Sequence, residues 1–289
     1  MSTKASVLIT GCSEGGIGYA LAKEFQARGL HVFATARSLS KMASLENVPN
    51  VTLLSLDVTS PESIANAASA VSSTTGGKLD YLVNNSGLQV LNPLLDFDLK
   101  QARDMFEVNV FGATATVQGF ASLLIAAKGC VVNMTSITAL MSPPWMGFYA
   151  GSKSAFVTIS ECLRLELQPL GVRVVTVNVG AVKTNIFSNA PTQYELPRTS
   201  RYGPVEKQIE ARVTGNDISD QKDTPENFAR GLVGRVLGGA TGKVSCGKFS
   251  TTIKVLTTYF PTWLVVSDHI SISLFLVPFS RETNFNVSS

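Results

Sequence analysis

The chain is poor in charge. Asp, Glu, Lys and Arg together make up 16% of its 289 residues, below the roughly 25% typical of soluble domains. The formal net charge is only +3 and no lysine/arginine cluster stands out, so no nucleic-acid partner is expected. Cysteine and histidine are scarce too. Cys12, Cys130, Cys162 and Cys246 lie far apart with no C-x-x-C pair, and His31 and His269 add no cluster. That excludes a zinc site of ordinary spacing, so no metal is expected and the thiols are read as reduced, in a cytoplasmic protein. The first strand pattern begins so early that no signal or transit peptide is expected before it. Long apolar runs are also lacking. Thirteen uncharged residues separate Lys254 from Asp268, and twelve separate Asp268 from Arg281. Neither reaches the roughly twenty that span a bilayer, and joining them would bury Asp268. Internal repeats and low-complexity linkers are absent, so residues 1–289 are read as one domain.

What is present is a large apolar share, 45%, enough for a sizeable core with apolar surface left for a subunit, a greasy substrate or a membrane face. Val7-Leu8-Ile9, HVFATAR from His31, VTLLSLDV from Val51, LDYLVNN from Leu79, CVVNMTS from Cys130, VRVVTVNVG from Val172 and KVSCG from Lys243 read as strands. Helical patterns lie between them, including one over Leu99–Ala127 and one over Tyr149–Gln168. Ser60 is placed to cap a helix that has Pro61 at its first position. Alternation of this kind predicts an α/β fold, a single doubly wound parallel sheet with helices on both faces. The near-continuous apolar strands agree, because both faces of such a sheet are covered.

Four glycines fall within a span of eight residues just after the first strand, in TGCSEGGIG from Thr10 to Gly18. Strand, glycine-rich turn and helix form the dinucleotide-binding arrangement, in which a pyrophosphate approaches backbone N–H groups at a helix N-terminus. Tyr149 and Lys153 are four apart and share a helix face. An ammonium beside a phenol is expected to lower its pKa and make it a usable proton donor. Ser136 ends the fifth strand, on the side of the sheet where ligands bind, and its hydroxyl is placed to hold a carbonyl oxygen. Separately, each feature has a bland reading: a tight turn, a solvated surface pair, a capping serine.

Taken together with NNSG at Asn84–Gly87, Asn109 and NVGAVKT at Asn178–Thr184, these residues resemble the short-chain dehydrogenase/reductase superfamily in its classical, Rossmann-type branch, over roughly residues 5–246. The resemblance implies a catalytic tetrad of Asn109, Ser136, Tyr149 and Lys153. In it Tyr149 protonates a carbonyl oxygen as hydride arrives and Ser136 orients that oxygen. Lys153 holds the nicotinamide ribose, and Asn109 anchors a water in a proton relay. It also implies cofactor contacts at Gly11, Ser13, Gly16, Ile17, Gly18, Asp57, Val58, Asn85, Gly87, Val182 and Thr184, beside Tyr149 and Lys153 themselves. Three departures stand out: one extra residue in the glycine turn, Ser86 where the family has alanine, and Val179 where it has proline. Loss of that proline removes a fixed φ beside the nicotinamide.

An NAD enzyme needs a carboxylate at the end of the second strand. Here Thr35-Ala36-Arg37 offers a guanidinium, which suits a 2′-phosphate, so NADP(H) is the expected cofactor. The lengthened turn is similar to that of 1-acyldihydroxyacetone-phosphate reductases and their relatives in fungal secondary metabolism. This implies a hydrophobic ketone or secondary alcohol on a lipid-like or natural-product substrate. Oxidation or isomerisation of a terpenoid or polyketide is an alternative, and retention of the whole tetrad argues against a non-catalytic dinucleotide sensor.

Residues 185–224 are expected to form the substrate lid. In it Phe187, Tyr194 and Tyr202 either line a pocket or pin the loop, and Arg198, Arg201 and Lys207 are read as solvated charges. Residues 251–289 form an apolar tail that packs over the cleft, meets a second subunit or makes peripheral contact with an intracellular membrane. By analogy with the family a homo-oligomer, dimer or tetramer, is expected through the long helices near Gln101–Ala127 and Ala150–Gln168. Phe106, Val110, Phe111 and Val117 would serve either that interface or the sheet.

Overall fold

Short strands whose residues are apolar on both sides can be buried only between two helical layers. The computed structural model, which describes residues 4–184, 196–217 and 222–261, shows that arrangement. Strands β1 (Ser6–Ile9), β2 (His31–Ala36), β3 (Val51–Ser55), β4 (Tyr81–Asn84), β5 (Cys130–Met134), β6 (Arg173–Val179) and β7 (Gly242–Cys246) form one parallel sheet in the order β3-β2-β1-β4-β5-β6-β7. The order reverses between β1 and β4, and in open α/β sheets the ligand crevice lies at such a switch point.

The period of two along each strand divides the core. Val7 and Ile9 of β1, Val132 of β5 and Val175 and Val177 of β6 face one layer. That layer is made by α1 (Ile17–Ala27) and α7 (Pro225–Leu237), through Leu21, Phe25, Phe228 and Leu232. Leu8, Leu82, Val131 and Val174 face the other layer, with α2 (Pro61–Thr75) and α4 (Ala113–Ala127) supplying Ile64, Val71, Val117, Phe120 and Leu124. Helix α5 (Gly147–Leu167) packs on the same face through Leu163 and Leu167.

Helix boundaries follow side-chain chemistry. The Ser60 hydroxyl accepts from Ser63 N at 3.2 Å ahead of Pro61, and Gly76 ends α2 at φ +70°. Thr224 caps α7 in the same way, accepting from Asn227 N at 3.2 Å, again with proline next.

Three features depart from the expected elements. The helix over Leu99–Ala127 is continuous but not uniform: α3 (Leu99–Phe106) joins α4 through a π turn at Glu107–Gly112. Its length and apolar composition would suit a membrane span, but Val117, Phe120 and Leu124 lie buried under α2 and the sheet. The stretch expected as lid contains α6 (Glu206–Thr214), and the tail begins with α8 (Ser250–Tyr259). Phe187, Tyr194 and the tail beyond residue 261 lie outside the described residues.

A buried polar ladder ties β4, β5 and α5 together. Asn84 Nδ2 donates to Asn133 Oδ1 at 2.9 Å, Asn133 Nδ2 donates to Ser160 Oγ at 2.9 Å, and Ser160 Oγ donates to the Phe156 carbonyl at 2.6 Å. Asn133 and Ser160 are fully buried, so removing the middle rung strands partners that water cannot reach. Asn133→Ala is expected to lower unfolding free energy by about 2–3 kcal/mol in urea titration, against about 1 kcal/mol for Ser160→Ala. Equal losses would show that the ladder does not act as a chain.

Candidate active site

The turn after β1 is held from below by the loop after β4. Thr10 Oγ1 accepts from Asn85 N at 3.0 Å and Ser86 N at 2.9 Å. The Asn85 carboxamide donates to the carbonyls of Thr10 at 2.8 Å and Gly11 at 3.0 Å. Asn85, expected as a cofactor contact, therefore commits its side-chain donor to positioning the turn.

Gly11 lies at φ +74°, a region that favours glycine. A side chain at Gly18 would collide with the Gly11 carbonyl and the Asn85 carboxamide. The extra residue of this turn is accommodated by bonds across to its neighbours: Cys12 N donates to Thr35 O at 2.8 Å, and Glu14 N donates to Lys41 O at 2.9 Å. Gly16 then caps α1 with no side-chain bond to the first-turn amides, an arrangement that suits an anion. Ser13 and Ile17 flank this opening.

Arg37 follows β2 directly and is exposed. Asp57 is half-buried after β3, where one carboxylate oxygen accepts from Thr59 N at 2.9 Å and Thr59 Oγ1 at 2.7 Å. Val58 beside it is buried. On the far side of the switch point, Val179 replaces proline yet the loop is not loose. Gly180 N donates to Cys246 O at 2.8 Å, Ala181 N to Lys248 O at 3.0 Å and Lys183 N to Asp223 O at 2.8 Å. Backbone bonds to the end of β7, to Lys248 just after it and to Asp223 ahead of α7 fix this loop, in which Val182 is buried and Thr184 half-buried.

The four chemistry-bearing residues converge between these loops. Ser136, Tyr149, Lys153 and Asn109 are all at least nine-tenths buried. Ser136 Oγ accepts from Thr138 N at 3.2 Å and is hydrogen-bonded to the Tyr149 phenol oxygen. Lys153 Nζ donates to the Met134 carbonyl at 3.1 Å and stands 5.9 Å from the centre of the Tyr149 ring. Asn109 sits in the π turn, a distortion frequent at functional sites. Its carboxamide nitrogen donates to Leu88 O at 2.8 Å and Ser152 Oγ at 3.0 Å, and its Oδ1 accepts from Leu88 N at 2.8 Å. Both of its donors are thus committed to joining the β4 loop to α5. A relay through this carboxamide would have to use the remaining acceptor capacity of Oδ1. Gly87 keeps the space beside them open, since a Cβ there would lie 3.4 Å from Asn109 Oδ1 and 3.6 Å from Lys153 Nζ.

The acid–base balance corrects a sequence expectation. Burial pushes the Tyr149 phenol up to about 12, with the Ser136 hydrogen bond only partly drawing it back. Burial likewise pushes the Lys153 ammonium down to about 8. Desolvation acts on both groups, so the protein by itself holds Tyr149 protonated and brings the Lys153 ammonium down to about 8.

An apolar wall borders the phenol. Val90, Leu91, Met146 and Tyr149 share a cluster with half-buried Leu88 and Val213. Trp145 packs with Val205, Ile209, Leu196 and Tyr202, so Tyr202 pins its segment to the body. Arg198, Arg201 and Lys207 are exposed, whereas Arg212 is buried in an ion pair with Asp217. The π turn, α6 and the Arg212–Asp217 pair escaped sequence reading. Of these, α6 had a usable signal in Val205, Ile209 and Val213, spaced four apart.

A parallel sheet reversing at a glycine turn, with serine, tyrosine and lysine meeting at the strand ends, defines a dinucleotide-binding oxidoreductase site. The short chain dehydrogenase family profile matches residues 5–195. A short-chain dehydrogenase of Penicillium crustosum is 44% identical over 260 residues, 89% of this chain and 94% of that protein. An NADPH-dependent 1-acyldihydroxyacetone phosphate reductase of Schizosaccharomyces pombe is 38% identical over 241 residues, 82% of this chain and 80% of that one. A crystal structure of a Burkholderia cenocepacia short chain dehydrogenase in complex with NADP superposes with TM-score 0.70 at 25% identity, covering 89% of this chain and 94% of that one. The chain belongs to the short-chain dehydrogenase/reductase family.

The pKa values set a pH profile. Lys153 in the folded protein lies below its free value, so its ammonium is intact below about 8 and lost above it. Tyr149 keeps its proton throughout. For ketone reduction, kcat/KM, which reports the free enzyme, is expected to be flat from pH 6 to 7.5 and to fall above about 8. A profile that stays level to pH 10 would remove Lys153 as the titrating group.

Proposed function

We propose that the protein is an NADPH-dependent carbonyl reductase and alcohol dehydrogenase acting on a hydrophobic ketone or secondary alcohol of lipid-like or natural-product type. The observation that carries this is the buried meeting of Ser136, Tyr149, Lys153 and Asn109 beneath an uncapped helix start, with Arg37 in place of a carboxylate after β2.

The residues fit a dinucleotide. Gly11, Gly16 and Gly18 let the turn close tightly on itself, since a Cβ at each would meet Ser86, Ser13 O or the Gly11 carbonyl and Asn85 carboxamide. Gly87 leaves the space beside Asn109 and Lys153 open, and the α1 amides, free of a side-chain cap, would face the diphosphate. Asp57 and Val58 would border the adenine, Arg37 the 2′-phosphate, and Val182 and Thr184 the nicotinamide end. When bound, the coenzyme supplies or accepts the hydride at the substrate carbon. Ser136 donates a hydrogen bond to the carbonyl oxygen and aligns it with the Tyr149 hydroxyl. Tyr149 gives that oxygen its proton as the carbon becomes tetrahedral. The phenolate left behind is stabilised by the Lys153 ammonium and the Ser136 hydroxyl. Its proton returns through Lys153, whose ammonium burial brings down to about 8 and which must then regain a proton from solvent. For oxidation the same groups act in reverse.

NADPH is supported by the Arg37 guanidinium and by the NADP-bound and NADPH-dependent relatives. The lipid-like substrate class is supported by the apolar wall of Val90, Leu91 and Met146 beside Tyr149. We place the protein in the cytoplasm, as a homo-oligomer. Val110 and Val117 pack inward, but Phe111 on the π turn and Leu165 on α5 are 58% and 60% exposed and available to a second copy. Val255, Tyr259 and Phe260 expose apolar surface on and just after α8, which supports a contact role for that end of the chain, with a subunit or a lipid surface.

Arg37→Ala is expected to lower kcat/KM for NADPH by about 10–100-fold while changing that for NADH by less than about threefold. An unchanged preference would reject Arg37 as the phosphate ligand. Tyr149→Phe is expected to reduce kcat by about 100-fold or more with coenzyme binding intact by fluorescence titration. Sustained turnover in that variant would reject Tyr149 as proton donor.

A further inference from the structure

Trp145 adopts φ +64°, a left-handed backbone that bulky residues avoid. The reason is local. Met146 N donates back to Pro143 O at 3.4 Å, which closes a four-residue turn with Pro144 second and Trp145 third. A proline second and a positive φ third make a type II turn, whose third place ordinarily takes glycine. A strained aromatic side chain in a glycine position points to a use for that side chain.

The indole is not turned to solvent. Trp145 is 8% exposed and packs with Val205, buried, and Ile209, fully buried. Both neighbours belong to the segment that carries α6. With Arg212 and Val213 they mark one helical face, at spacings of four, three and one. The next residue of the platform continues the contact, because Arg212 Nη1 lies 3.9 Å from Met146 Sδ. Val213 packs against the cluster that contains Met146 and Tyr149. The inner face of α6 therefore rests on the Trp145–Met146 pair, three to four residues ahead of the proton donor.

A circuit of polar bonds fixes that platform. Asn92 N donates to the Trp145 carbonyl at 3.0 Å, and Asn92 Nδ2 donates to Asp96 O at 3.4 Å. Ser200 Oγ donates to Asp96 Oδ2 at 2.5 Å and accepts from Tyr202 N at 3.1 Å. Tyr202 then packs back onto Trp145. The loop after β4, the turn before α5 and the segment leading into α6 are thus joined in a ring around the indole. Arg212, the charged member of the inner face, is already neutralised by Asp217.

We propose that Trp145 is a specificity-determining residue, the rigid seat of α6, which selects bulky uncharged ketones whose apolar body extends from Tyr149 to that helix. The substrate part of this proposal rests on the carbonyl-reductase reading above; the seating of α6 does not.

Two ketones of different size, cyclohexanone and 2-decalone, serve as probes with the full-length protein and NADPH. Trp145→Ala is expected to lower kcat/KM for 2-decalone by about tenfold or more, through KM, with kcat and cyclohexanone turnover changed by less than about threefold. The KM for NADPH should not move, and Trp145→Phe should restore the preference. Trp145→Gly should melt at a higher temperature than Trp145→Ala, because glycine accepts the turn. Equal loss on both ketones, or no loss on 2-decalone, overturns the selectivity. If the unaltered protein reduces neither ketone, the carbonyl-reductase reading fails and the substrate claim falls with it. The seating of α6 is then judged by hydrogen exchange, which should quicken across Glu206–Thr214 in Trp145→Ala but not in Trp145→Phe. Unchanged exchange there overturns the seat.

Discussion

Removing a phenol and an ammonium from water within one apolar interior is the constraint on which this structure turns. Tyr149 and Lys153 sit one turn apart on α5, and burial drives both toward their uncharged forms. Neither state is tolerable without fixed partners. The Met134 carbonyl receives the ammonium and Ser136 receives the phenol. Both partners come from the end of β5, so the register of that strand against α5 is set as much by chemistry as by packing. The Asn84–Asn133–Ser160 ladder, running just behind, locks the same two elements together.

Around that pair, the loops at the strand ends support one another. The glycine turn after β1 is shaped by Asn85 and Ser86 after β4, and the β4 loop is in turn fastened to the π turn and α5 by Asn109. A wider helical turn at Glu107–Gly112 carries Asn109, where it reaches both Leu88 and Ser152. The residues that the family resemblance assigns to catalysis thus also carry structural bonds, because buried polar side chains must find partners whether or not they react.

Much of the fold was legible from periodicity. All seven strands overlap the stretches that read as strands, and Ser60 with Pro61 opens α2 as capping chemistry requires. The π turn was not legible, because one additional residue per turn barely disturbs a helical pattern. Helix α6 was hidden by a polar, proline-containing context in which three apolar residues looked scattered. Its face makes sense only against Trp145. The burial of the phenol was not legible for a related reason: a four-residue spacing shows that lysine and tyrosine are neighbours, but not how deeply both are buried.

What the sequence determined by itself is the set of elements, the order in which they alternate, and the residue types that could bind a dinucleotide and move a proton. Those are properties of neighbours along the chain, where spacing and propensity act directly. The tertiary structure alone decided which loop holds which. The Asn85 carboxamide braces the glycine turn, backbone bonds to Cys246, Lys248 and Asp223 fix the loop after Val179, and desolvation raises the Tyr149 phenol while lowering the Lys153 ammonium. Each outcome depends on groups brought together from distant parts of the chain, and on the exclusion of water that only their packing produces.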